Sequence, residues 1–412
     1  MATITRPDTA VSTVGPAAAA PATYDGATRS VPWYVLGVTA AATAVYVGVI
    51  WDISWHMTIG RDTFWSPPHM VTYLSAILVG ISCGYVAFKT TMVGTPEERA
   101  RSVGFFGFRG PLGAWVCTWG AFAMLTSAPF DNWWHNAYGL DVKIISPPHT
   151  LLSLGMFAIV IGAMLMLLAW QNRARDAGGA RPPRTLELLY VYVAGIALSM
   201  VAIYTTEYSF RGFQHAATFY RVSALAYPVV LVGAARASTM RRWPATSIAV
   251  VYMLSRMVPG WVLPLFSAEP RLGPIYSPID HMVPMQFPLL LVVPAVAIDL
   301  LMRRTAKAES SSASDWALAP VYGLVFVAAF FVAQWPFADF LHSPAARNWF
   351  FFTNEFGYMV PTGSRARAFR YYDPQTLTTP ALWTGLAIAV LYGTISTRAG
   401  LAWGRWMRRV RR

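Results

Sequence analysis

Apolar residues along this chain gather in long blocks, and the polar ones fall in the gaps between them. Ten blocks are long enough to cross a bilayer as helices, at about 33–57, 68–89, 111–130, 147–170, 186–206, 217–236, 244–265, 283–302, 316–336 and 379–398. A helix rising 1.5 Å per residue needs roughly 20 apolar residues for about 30 Å of hydrocarbon. The pattern predicts an all-α, polytopic integral membrane protein of about ten transmembrane helices built as repeated helical hairpins. Residues 1–31, rich in Ala, Thr and Pro, bury no core and are expected to form a disordered cytoplasmic tail. Residues 32–172 then form a four-helix region, and 185–412 a six-helix region to which the sequence assigns no role. The first block, Trp33 to Trp51, runs directly into a polar cluster and is read as a retained anchor rather than a cleaved signal.

The gaps carry a directional charge signal. Even-to-odd connections are basic, with Lys89, Arg99, Arg101 and Arg109, then Arg173, Arg175, Arg181 and Arg184, then Arg236, Arg241 and Arg242, then Arg303, Arg304 and Lys307. The chain closes on Arg408-Arg409-Val410-Arg411-Arg412. The positive-inside rule places both termini in the cytoplasm and the odd-to-even loops outside a cytoplasmic membrane. The long loop at about 337–378, with Arg347, Arg365, Arg367 and Arg370, runs against the trend, although long loops weigh little in that rule.

Composition agrees, at 55% hydrophobic and 12% charged residues. The net charge of +13 lies between apolar blocks, as topology requires, which excludes nucleic acid as a partner and leaves the lipid bilayer. Cys83 and Cys117, the only cysteines, both fall inside apolar blocks, so neither a disulfide framework nor a thiolate zinc site is expected.

One ligand-like spacing is written twice. Asp52, His56 and His69 recur as Asp131, His135 and His149, with spacings Asp-x3-His-x12-His and Asp-x3-His-x13-His. An acid and a histidine four apart share a helix face, and the second histidine opens the next block after Ser-Pro-Pro in both copies. A lone Asp-x3-His at a helix end is more often a salt bridge than a metal site. Duplication explains a repeat but does not require its polar residues to survive twice. Two imidazoles and one carboxylate suit copper, zinc or iron with an open coordination position. All seven histidines fall at the outer ends of helices or in outer loops, which puts the metal sites near the outer face.

The first copy, continued by Arg61-Asp62-Thr63, resembles the C subunit (PmoC/AmoC) of the copper-dependent membrane monooxygenases, the particulate methane and ammonia monooxygenases. The second copy looks like that family's other proposed copper site, where Asn normally stands at the position of Asp131. The resemblance spans roughly residues 33–170. It implies copper on Asp52, His56 and His69 as the catalytic centre, with a second set on Asp131, His135 and His149. It also implies O2-dependent oxidation of a small molecule, within a complex that contains companion subunits and an electron donor.

Two other classes compete. A non-catalytic copper-binding or transport protein would carry its ligands through the membrane as a relay. A haem-binding electron-transfer protein would pair histidines without acids. Weaker echoes of the motif lie at Ser277-Pro278-Ile279-Asp280-His281-Met282, at Trp335, Asp339 and His342, and at Glu207 and His215. These read as relics of hairpin duplication or as interfacial polar residues. Arg256, inside the seventh block, is expected to find an acid or carbonyl partner.

Overall fold

A computed structural model describes residues 31–60, 63, 65–138, 146–176, 182–240, 242–305 and 312–412. The expected disordered tail, Val31 excepted, and Arg61, Asp62 and the His135 side chain therefore lie outside the description.

Among the described residues the regular structure is helical apart from one short hairpin and an isolated bridge between Ser267 and His281. Ten helices correspond to the ten apolar blocks: α1 (Trp33–Thr58), α2 (Pro67–Met92), α3 (Leu112–Tyr138), α4 (Pro147–Asp176), α5 (Arg184–Tyr204), α6 (Ala217–Ala237), α7 (Pro244–Val262), α8 (Val292–Thr305), α9 (Ser312–His342) and α10 (Pro380–Met407). Strands β1 (Val103–Phe105) and β2 (Phe108–Gly110) pair antiparallel between α2 and α3. Among the described residues, eight helices are long and apolar enough to cross a membrane; α3 and α8 are outside that set. Helix α3 has the length, but its last turns carry Pro129, Asp131, Asn132 and Asn136.

Helix α8 is short because its block is broken. Residues 283–290 form no regular secondary structure, Leu291 lies in a turn, and the helix starts only at Val292. Pro284 and Pro288 lack amide donors and push their preceding residues out of the helical region. Backbone left open by the break must find partners inside the protein. Ser54 Oγ donates to the Val283 carbonyl at 2.7 Å, and Val283 N–H donates to Thr58 Oγ1 at 2.8 Å. Leu289 N–H donates to the Tyr252 hydroxyl at 3.0 Å and Leu290 N–H to Gln334 Oε1 at 2.9 Å.

Helices approach closely where glycines meet. A methyl carbon on Gly120 of α3 would stand 2.6 Å from the Gly155 carbonyl oxygen of α4, and one on Gly155 would stand 2.7 Å from that of Gly120. One turn before Asp52, a methyl on Gly48 would meet the Thr72 nitrogen of α2 at 2.9 Å. Such small-residue seams let backbones pack where lipid gives helices no hydrophobic reason to associate. At the basic end of the bundle, Asp315 of α9 is fully buried between Arg236 of α6, at 2.7 Å, and Arg405 of α10. Cys83 and Cys117 are buried free thiols.

Gly120→Ala is expected to lower the thermal midpoint, at a cost of about 1–3 kcal/mol from overpacking. Gly80→Ala, with nothing within 4 Å of the added carbon, should leave it unchanged or slightly raised. Equal effects on the two midpoints would contradict the glycine seam.

Candidate metal centre

Both acid–histidine copies sit where an odd helix ends and an even helix begins. Ser66 stands at the N-cap of α2 with Pro67 and Pro68 as its first two residues, so His69 lies in the first turn. Proline is tolerated there because those amides have no intrahelical acceptor anyway. Ser146, Pro147, Pro148 and His149 repeat the arrangement at the start of α4, where Ser146 Oγ accepts from His149 N–H at 3.3 Å. Each carboxylate thus faces a helix N-terminus, whose partial positive charge favours an anion.

The structure brings the first triad together around its carboxylate. Asp52 Oδ1 lies 3.3 Å from His69 Nε2, and Asp52 Oδ2 lies 3.8 Å from His56 Nε2. In the second copy Asp131 Oδ1 lies 3.4 Å from His149 Nε2. Side-chain exposures match as well, at 27% for Asp52 and His69 against 30% and 31% for Asp131 and His149.

The first pair has an electrostatic peculiarity. His69 Nδ1 lies 3.1 Å from the Thr63 carbonyl, which can only accept, so Nδ1 carries the proton. In the neutral ring Nε2 then presents a lone pair to Asp52 Oδ1. That oxygen is buried and makes no hydrogen bond among the described residues. Two acceptors facing each other need a proton or a cation between them. Donors held about 2.0–2.2 Å from one ion stand about 3 Å apart, so the Asp52–His69 pair already has suitable spacing. His56, at 3.8 Å and 48% exposed, must swing inward to join. As they stand, no three His, Cys, Asp or Glu side chains among the described residues form a ready-made ion cage.

The last turn of α1 is held from behind by the C-terminal region. Ser54 and Thr58, on the face away from Asp52 and His56, bind Val283. The carbonyls of Met57 and Ile59, at the end of the helix, accept from Tyr358 N–H at 3.1 Å and Arg271 N–H at 2.9 Å. Gly60, at φ +77°, ends the helix in the left-handed conformation that glycine adopts without strain. A recess of about 330 Å³ lined by Trp55, Ile59, Thr63, Trp65 and Arg271 adjoins this turn.

The weaker echoes resolve into two other polar clusters. His215, buried and stacked between Trp335 and Tyr371, has its Nε2 3.1 Å from the Tyr371 hydroxyl. That hydroxyl donates to Asp339 at 2.9 Å. Burial lowers the His215 pKa, with the Asp339 carboxylate opposing. His281 bridges Asp280 at 2.7 Å and Glu355 at 2.8 Å. Tyr371 and Glu355 had no motif to announce them; only their aromatic and acidic character in an arginine-rich loop was visible. Arg256 corrects an expectation: it is buried, but Nη1 contacts Met285 Sδ at 3.3 Å rather than an acid or carbonyl. The non-helical segment brings a thioether to it.

No family model, curated protein or solved structure matches this chain.

Burial works against charge on His281, but Glu355 and Asp280 together outweigh it and raise its pKa. The ring therefore stays charged to higher pH in the folded protein than in the unfolded chain, near 6.5. Its stabilisation is fully present below that value and is lost as pH rises through the folded value. The wild-type thermal midpoint should fall with rising pH above neutrality, and Glu355→Gln should flatten that dependence. Parallel profiles would contradict the bridge.

Proposed function

We propose that this chain is the metal-bearing subunit of a copper-dependent membrane monooxygenase that oxidises a small molecule with O2. The first ion lies between Asp52, His56 and His69, and a second between Asp131, His135 and His149. Both sites lie near the outer face of a cytoplasmic membrane, with both chain termini in the cytoplasm. The observation that carries this reading is the Asp52–His69 contact, where a buried carboxylate oxygen with no hydrogen bond among the described residues faces an imidazole nitrogen at 3.3 Å. Its recurrence at 3.4 Å between Asp131 and His149 supports a second site.

When bound, copper supplies the redox chemistry that no side chain here provides. The residues around it bind and orient. Asp52 contributes negative charge that offsets the cation. The Thr63 carbonyl fixes the His69 tautomer so that Nε2 faces the site. Trp55 and Trp65 line the adjoining recess and give it apolar walls suited to a small apolar or weakly polar substrate. Electrons come from a donor carried by companion subunits. A second reading, a copper acceptor without catalysis, draws on the 48% exposure of His56, which leaves that ligand open to exchange.

Protein purified in lipid nanodiscs after growth with copper should retain it, and Asp52→Ala or His69→Ala should weaken retention at the first site by more than about 100-fold. His149→Ala should remove only the second ion. Wild type that holds no copper, iron or zinc would overturn the metal reading. Retained copper without reductant-dependent O2 uptake in the intact complex would favour the acceptor reading over the enzyme.

A further inference from the structure

One of the arginines that break the positive-inside pattern, Arg370, lines a cavity together with Arg211. It holds about 240 Å³ between the end of α1, the non-helical segment before α8 and the loop that joins α9 to α10. The Arg211 guanidinium donates to the carbonyls of Thr353, at 2.9 Å, and Ala366, at 3.2 Å, and lies over the Phe369 ring at 4.4 Å. Arg347 also lies over Phe369, at 3.9 Å, while Arg365 and Arg367 donate to the carbonyls of Tyr372 and Val360.

None of these five arginines forms an ion pair among the described residues. Two acids of this region are engaged by other groups, Glu355 by His281 and Asp339 by Tyr371 and His215. Glu355 also lines the cavity, with its carboxylate turned to His281, which Asp280 shares. Burial, reinforced by the Arg347 charge, lowers the Arg211 pKa to about 10, although Tyr372 opposes the shift. Arginines satisfied by carbonyls and ring faces keep their positive charge without an anion to neutralise it. Gln286 adds a neutral donor: its Oε1 accepts from Arg211 N–H at 3.1 Å, which leaves its amide hydrogens for the cavity. The remaining wall is apolar and includes Phe287, Phe351 and Phe352.

We propose that this cavity binds a small organic anion, a carboxylate on a compact aromatic body. Arg211, Arg370 and the Gln286 amide receive the carboxylate, and the phenylalanines receive the ring. Met57, the residue after His56, forms part of the same wall, so the site abuts the metal-bearing helix without sharing its ligands. The inference stands independently of whether copper binds.

The test uses the full chain in phosphatidylcholine nanodiscs, purified without added metal, with benzoate as the probe and benzamide as its neutral counterpart. Saturation-transfer NMR and calorimetry should give saturable benzoate binding, at least about tenfold tighter than benzamide, as expected for charge-assisted hydrogen bonds. Arg370→Gln should weaken benzoate about tenfold and leave benzamide unchanged. The Arg370 side chain is exposed and makes no hydrogen bond or ion pair among the described residues, so this variant should keep the wild-type thermal midpoint. Arg211→Lys, which keeps the charge but loses the planar fork, should also weaken benzoate. Equal binding of benzoate and benzamide, indifference to Arg370→Gln, or no saturable binding up to about 10 mM would each overturn the proposal.

Discussion

Hydrocarbon offers no water to an open backbone N–H or C=O, and this constraint governs both the helices and the places where they stop. It explains why the broken stretch at residues 283–291 lies against Ser54, Thr58, Tyr252 and Gln334 rather than against lipid. It also explains why the last carbonyls of α1 accept from Tyr358 and Arg271. Those two demands are met at one place. The C-terminal six-helix region, for which the sequence suggests no task, fixes the final turn of α1 and hence the direction in which Asp52 and His56 point.

The other half of the site depends on close backbone approach. Gly48 brings the start of α2 against α1, and Gly120 with Gly155 does the same for α3 and α4. Ser-Pro-Pro then begins each even helix at a fixed position, so its histidine lands opposite the preceding carboxylate. In the first copy the outcome is an acceptor facing an acceptor, an arrangement that a cation relieves. A protonated His69 would relieve it too, as an ion pair.

Much of this was legible in the sequence. The helices follow the apolar blocks, and the pairing of Asp52 with His69 and of Asp131 with His149 follows from spacing and hairpin connectivity. What sequence hid depends on tertiary contact. The block at 283–302 has the composition of a span, and the effect of Pro284 and Pro288 on the backbone leaves its first half out of the helix. Arg256 meets Met285 where an acid or carbonyl is expected, because the break delivers a thioether that no periodicity marks. Glu355 and Tyr371 lie far from their histidines along the chain, and no local pattern links them. The arginines of the loop at 337–378 were visible only as an exception to a topology rule.

The most direct measurement is X-ray absorption at the copper edge on copper-loaded protein in nanodiscs, wild type against His69→Ala. If Asp52, His56 and His69 share one ion, the wild-type spectrum shows nitrogen and oxygen neighbours near about 2.0 Å with imidazole outer-shell scattering, and the variant loses part of that scattering. A sulfur shell near about 2.3 Å, or a wild-type spectrum that His69→Ala leaves unchanged, would contradict the account.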